Sequence, residues 1–193
     1  VGPQSAGAVP GPAAYAKGGE EPTVTDANVA LGYLPSSSKL GGDMVIDSNL
    51  AKKSVEKIAT AMNLKTMDAA EGIYNIVNEN MFGALRLVSV EQGHDPRDFA
   101  LIAFGGAGPL HGVALANEVA AKEVIVPPAP GINAAIGLLE TDMKYEFTRS
   151  APLVLESATN KDFDRINKAL SELETLCRER LSADGITKKN QQI

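Results

Sequence analysis

Hydrophobic and polar positions alternate in three distinguishable ways along the 193-residue chain. From residue 49 to 92 the apolar residues recur every three or four positions. Leu50, Val55, Ile58, Ala59 and Met62 mark one helical face, and Ile73, Ile76, Val77, Met81, Leu85 and Val88 mark a second. This spacing predicts helices over Asn49–Met62, with Ser48 as N-cap, and over Asp68–Gln92, with Gly93 as stop signal. A short helix over Ala27–Leu31, capped by Asp26 and ended near Gly32, is expected before them. Residues 99–104 form a continuous apolar run of strand length, which predicts a strand buried on both faces. A glycine cluster ends it, Pro109 opens a helix to about Ala120, and Glu123–Val126 reads as a second strand. Strand, helix and strand in that order make a βαβ unit with parallel, neighbouring strands.

The remaining segments are less regular. Residues 1–22 are rich in Gly, Pro and Ala and read as a loop, with Tyr15 pointing to an ordered one. Residues 35–43 also read as a loop. Asn133 is expected to cap a short helix over Ala134–Glu140. Residues 144–149 alternate like a half-exposed strand. Asn160 is expected to cap a charged amphipathic helix to about Ser182, closed by Gly185. The fold class is therefore α/β, a mainly parallel sheet flanked by helices.

Composition narrows the function. A net charge of −6 argues against nucleic acid as a partner, since phosphate binding needs clustered Lys and Arg. No apolar run reaches the length of about 20 residues that spans a bilayer. One cysteine, Cys177, excludes a disulfide within the chain and fits a reducing, cytoplasmic location. The first residue is Val1 rather than Met, and both ends fall in loop-like sequence, as expected of an internal segment of a longer polypeptide.

Chemistry concentrates between Phe99 and His111. A strand that ends in Gly105-Gly106-Ala107-Gly108 and turns into a helix offers free backbone N–H groups to an anion. The loop lacks the Lys-Ser/Thr of a Walker A motif and the G-x-G-x-x-G spacing of a Rossmann turn. From spacing alone, a tight turn that binds nothing is equally consistent. His111, in the first turn of that helix, is a candidate acid/base or phosphate donor, or else a half-buried histidine bonded to backbone. Asp26 and Asn28 are candidates for positioning substrate, with Asp26 also a weak catalytic candidate; the alternative is a helix cap and a first-turn residue. No cluster has metal-ligand spacing, so no metal site is assigned.

These segments resemble a known family. Ala103 to His111, Val126 to Gly131 followed by Ala134 to Leu138, the opening Val1 to Ala8 with Pro10-Gly11-Pro12, and Pro22 to Asn28 are similar to motifs of hydantoinase A and 5-oxoprolinase proteins, in the family's order. Two positions depart from the pattern: Val9 stands where an acidic residue is usual, and Ala14 where Cys is common. The resemblance implies residues 1–150 as part of the second domain of an actin-like (ribonuclease H-like) ATPase, with residues 151–193 beginning a following region. It implies Gly105, Gly106, Ala107 and Gly108 as one wall of an ATP cleft, and earlier phosphate-binding loops upstream of Val1. For the whole protein it implies ATP- and Mg²⁺-dependent opening of a cyclic amide such as a hydantoin or 5-oxoproline, by phosphorylation of the carbonyl oxygen and attack by water. The segment alone is then expected to be inactive. A second subunit of the hydantoinase B type is the implied partner. Ketone carboxylation, or a regulatory nucleotide-binding protein of the same fold, are the alternatives.

Overall fold

The computed structural model describes residues 4–37 and 39–193; the start of the first family-like motif, Val1-Gly2-Pro3, and Ser38 of the expected 35–43 loop lie outside them. The chain divides into two compact units, Val1–Leu138 and Leu139–Ile193.

The first unit is built on three helices, α1 (Val24–Ala30), α2 (Ser48–Ala61) and α3 (Thr66–Val88). The caps lie one to three positions earlier than the sequence predicts. Thr23 caps α1, and Asp26 is the third residue of a capping box, its side chain bonded back to the Thr23 backbone. Asp47, not Ser48, caps α2, its Oδ1 accepting from the N–H groups of Asn49 and Leu50 at 2.8 and 3.0 Å. Carboxylates outcompete hydroxyls here because they accept charge-assisted bonds.

The three helices meet through small side chains. Ala27 and Ala30 of α1, Val55 and Ala59 of α2, and Ala69 and Ala70 of α3 form one buried cluster, edged by Leu31, Ile58 and Ile73. A second cluster joins Ala14, Val29, Ile46 and Ala51. It pulls the N-terminal loop onto the helices, and the Asp47 N–H donates to the Ala14 carbonyl at 2.8 Å. The loop over residues 4–22 is therefore packed in its second half, as Tyr15 implied. At Gly19 a Cβ would lie 2.0 Å from the Gly11 carbonyl oxygen, so no other residue fits that crossing.

Between α1 and α2 the expected loop contains a small hairpin, β1 (Lys39–Leu40) antiparallel to β2 (Met44–Val45). Gly41 and Gly42 both hold positive φ in its turn, a geometry that glycine alone adopts without strain. The predicted βαβ unit is present as β3 (Leu101–Ile102), α4 (Gly108–Val119) and β4 (Val124–Ile125), with β3 and β4 parallel and Leu101 opposite Val124. The strands are shorter than residues 99–104 and 123–126. The expectation that the first is buried on both faces does not hold for these residues: Ile102 is 55% and Phe104 48% exposed. Among the described residues β3 pairs with β4 alone, so this apolar run does not become a central strand here. The α/β class stands, while the described sheets are one parallel and one antiparallel pair rather than a mainly parallel sheet.

The helix α5 (Asn133–Glu140) follows a 3₁₀ turn at Pro130–Ile132. In the second unit, α6 (Asn160–Ala183) is capped by Thr159 with Asp162 in a capping box, one residue before the predicted Asn160. Residues 144–149 form no strand. They contact α6 instead: Arg149 pairs with Glu172, and Tyr145 donates to Asp184 Oδ2 at 2.6 Å while the Arg180 guanidinium lies 4.9 Å from its ring centre. The alternation is real, but its partner is a helix.

Candidate functional site

The glycine turn leaves the carboxyl end of β3. Leu101 N–H donates to the Glu123 carbonyl and Ala103 N–H to that of Ile125, both at 2.9 Å. The next residues stay tied to the neighbouring strand's exit, because Gly105 N–H donates to the Pro130 carbonyl at 2.7 Å. Gly105 holds φ +86°, a conformation that favours glycine. Gly106 does not; a Cβ there would meet nothing within 4 Å, so the space in front of the turn is open. Ala107 is the N-cap of α4 and supplies no side-chain acceptor; Pro109 has no N–H and Leu110 N–H donates to the Ala107 carbonyl at 3.0 Å, which leaves Gly108 N–H as the uncapped donor of the first turn. Behind the turn the packing is tight. A Cβ at Gly112 would lie 2.7 Å from the Ala103 Cβ and 3.3 Å from Val124 Cγ1. One glycine frees the front of the turn and another lets α4 press against the strands.

His111 is neither solvent-facing nor bonded to backbone. It is 4% exposed, and its Nδ1 lies 2.9 Å from Asn78 Oδ1 on α3. Its Nε2 lies 3.3 Å from Asn28 Nδ2 on α1. The Tyr74 ring stacks on the imidazole at 5.0 Å and 18°, and the Tyr74 hydroxyl donates to the Leu110 carbonyl at 3.2 Å. Burial lowers the His111 pKa below its ordinary value, favouring the neutral ring. Sequence spacing pointed to His111 and Asn28 separately. Tyr74 and Asn78 gave no signal beyond their four-residue separation on one helix.

Asp26 is fully buried, and both oxygens are occupied. Oδ1 accepts from Ala14 N–H at 2.7 Å; Oδ2 accepts from Ala13 N–H, Thr23 N–H and the Thr23 hydroxyl at 3.3, 2.9 and 2.7 Å. It therefore offers no free oxygen to a substrate and instead shapes the 12–15 turn. Asn28 is also buried, with Nδ2 committed to His111. The surface beside these residues is formed by others. A cavity of about 720 Å³ lies between the N-terminal loop and the helices, with Ser5, Gly7, Tyr15, Thr23, Thr25 and Ile73 in its wall. Thr23 and Thr25 were legible as part of a polar segment but not as cavity residues. Among the described residues no three His, Cys, Asp or Glu side chains converge as a metal site, and no helix is long and apolar enough to cross a membrane.

The family model described as hydantoinase/oxoprolinase matches residues 1–147, and the chain belongs to that family. It is 42% identical to the alpha subunit of caprolactamase from Pseudomonas jessenii, over 96% of this chain and 27% of that protein. It is 39% identical to the gamma subunit of acetophenone carboxylase from Aromatoleum aromaticum, over 96% of this chain and 26% of that one. The crystal structure of the ATP-dependent caprolactamase from Pseudomonas jessenii superposes with a TM-score of 0.69, at 39% identity, over 96% of this chain and 27% of its own. The chain spans about a quarter of the length of these relatives.

Proposed function

We propose that this chain is the part of an ATP-dependent cyclic amide hydrolase that forms one wall of the nucleotide cleft, within the second actin-like domain of the whole protein. The observation that carries the reading is the turn at 105–108. It lies at the carboxyl ends of two parallel strands, where open α/β sheets bind ligands. Its front is open at Gly106, and it leads into a helix whose first turn keeps the Gly108 N–H uncapped. A phosphate or ribose can approach such a backbone, and the helix dipole favours negative charge there. Family membership and the ATP-dependent relative support the same assignment.

In this reading Gly105 fixes the turn, and Gly106, Ala107 and Gly108 face nucleotide. ATP supplies the phosphoryl group that activates the amide carbonyl. Mg²⁺ would accompany the ATP phosphates in the whole protein. Asp26 acts at one remove, by holding the loop that walls the 720 Å³ cavity. The naming of two relatives as subunits supports a partner subunit, which in this reading is of the hydantoinase B type, with the whole protein cytoplasmic.

Ketone carboxylation is the second reading, favoured by the 39% identity to an acetophenone carboxylase subunit. Phosphate release by the whole protein, with its partner subunit, separates the two. Stimulation by caprolactam, a hydantoin or 5-oxoproline is the expected result. Stimulation only by a ketone with bicarbonate selects the second reading, and ATP binding without stimulation by any of them selects a regulatory nucleotide-binding protein.

A further inference from the structure

With the Asn28 and Asn78 amides in the orientation found here, the hydrogen bonds around His111 select one tautomer. The Asn78 oxygen can only accept, so Nδ1 carries the hydrogen and donates to it at 2.9 Å. The Asn28 amide nitrogen can only donate, so Nε2 is bare and accepts at 3.3 Å. A second proton on the ring would set an N–H against an N–H₂. Turning the Asn28 amide would relieve that, and the remaining geometry shows what the turn involves. Asn28 Oδ1 is buried with no donor against it, so the amide is oriented only by its bond to Nε2. The turned amide would give Nε2–H an acceptor while leaving its own N–H₂ buried where the oxygen now lies.

No full charge contacts the ring. α1 presents Asn28, while Asp26 on the same helix is committed to Ala13, Ala14 and Thr23. α3 presents Asn78 and the Tyr74 ring, a titratable phenol stacked on the imidazole. The bonds reach residues 110 and 111 from two different helices. Gly112, next in sequence, is the point at which α4 presses on Ala103 and Val124. The first turn of α4 is thus held between the helical layer and the strands, three residues from the glycine turn.

We propose that Asn28, Asn78 and Tyr74 clasp His111 as its neutral Nδ1–H tautomer, and that this clasp positions the 105–108 turn against nucleotide. His111 is then a positioning residue and carries no proton in the reaction. The inference rests on the reading that this turn meets nucleotide.

Three measurements on the whole protein test it. Imidazole nitrogen-15 spectra at neutral pH are expected to show His111 with a protonated Nδ1 and a bare Nε2. In Asn28→Asp, where the facing atom becomes an acceptor, both nitrogens are expected to be protonated. Asn78→Ala is expected to speed exchange of the hydrogen-bonded Gly105 and Leu110 amides by about tenfold, the scale of one lost buried hydrogen bond, with α2 unchanged. The same variant is expected to raise the KM for ATP several-fold and leave the pH profile of kcat in place. A bare Nδ1 in the unaltered protein, or unchanged exchange of the Gly105 and Leu110 amides in Asn78→Ala, overturns the clasp. A His111→Gln variant that keeps its KM for ATP but loses an ionisation from the kcat profile makes His111 a proton carrier and overturns the positioning role. Absence of ATP binding by the unaltered protein, with spectra and exchange as expected, overturns the nucleotide reading and leaves the clasp supported.

Discussion

The helical layer α1–α3 and the β3–α4–β4 strip are both rich in apolar residues, yet they use them differently. At the seam of the layer the buried apolar residues are small: five of the six members of its core cluster are alanines, while larger ones such as Ile76 and Leu87 lie on its exposed faces. In the strip the large apolar residues have no such seam, and Phe99, Ile102, Phe104 and Val113 are each about half exposed or more. The layer has a closed interior, because three helices surround one seam. The strip is held at a few points: the parallel backbone pairing, the Gly112 contact, and the His111 clasp. Hydrophobicity of a segment therefore predicts that it wants burial, and the number of available neighbours decides whether it gets it.

If the layer depends on satisfied interior groups and the strip on a few contacts, substitutions should separate them. The largest effect is expected at Asp26→Ala, which strips the acceptors from the buried Ala13 and Ala14 N–H groups and from Thr23. A loss of about 3–5 kcal/mol in chemical denaturation is expected, because each buried donor left alone costs about 1–3 kcal/mol. A loss below 1 kcal/mol would mean that water replaces the carboxylate. On the strip, Gly112→Val forces a branched side chain onto Ala103 and Val124, and a loss of about 1–3 kcal/mol is expected. The small gain in helix propensity does not offset it.

Gly106→Val sharpens the contrast between the back of the turn and its front. Its side chain enters open space, so denaturation midpoints should hold while ATP binding weakens about tenfold, or about 1.4 kcal/mol. Unchanged affinity in the folded variant would remove Gly106 from the nucleotide wall.

A smaller effect follows from His111, which belongs to both regions. Its folded pKa lies below the ordinary value, so the unfolded chain takes up the proton first. Its contribution to stability is complete above about pH 6.5 and declines as pH falls from there toward the folded pKa. Denaturation across that range should show the slope, and His111→Gln should remove it.

The least consequence for stability is expected outside both regions, at Asp95. The Arg97 side chain, bonded to this exposed carboxyl, with the Arg97 backbone N–H adding to the effect, lowers it to about 2. Arg97→Ala should return the carboxyl only part of the way to 3.8, since the backbone bond at 3.0 Å survives. Carboxyl carbon-13 titration measures this, and unfolding midpoints at neutral pH should not move.

Much of this architecture was legible in the sequence because it depends on near neighbours. Three- and four-residue spacing marked α2 and α3, and the order of apolar run, glycines, helix and apolar run marked a parallel pair. What failed required knowledge of distant partners. The 144–149 segment alternates as a strand does, but it meets α6 through Arg149 and Tyr145. Asp26 is of a type that caps helices and also binds substrates; only the approach of Ala13 and Ala14, thirteen and twelve residues earlier, shows where its oxygens go. The site divides the same way. The glycine turn is local and was visible, whereas the clasp joins residues 28, 74, 78 and 111 and exists only after folding.

The alanine seam between α1, α2 and α3 has one further consequence. A methyl group has no rotamer to choose, so closing this seam sacrifices almost no side-chain freedom, unlike a seam of leucines or methionines. It also leaves little that can repack, since among the buried members only Val55 has a rotamer to change. A helix that shifts against its neighbour often does so by side chains hopping between wells; here that freedom is confined to Val55 and the edge residues Leu31, Ile58 and Ile73. Asn28 and Asn78 are carried on two of the helices that meet at this seam, so their spacing is set by contacts with few alternative arrangements.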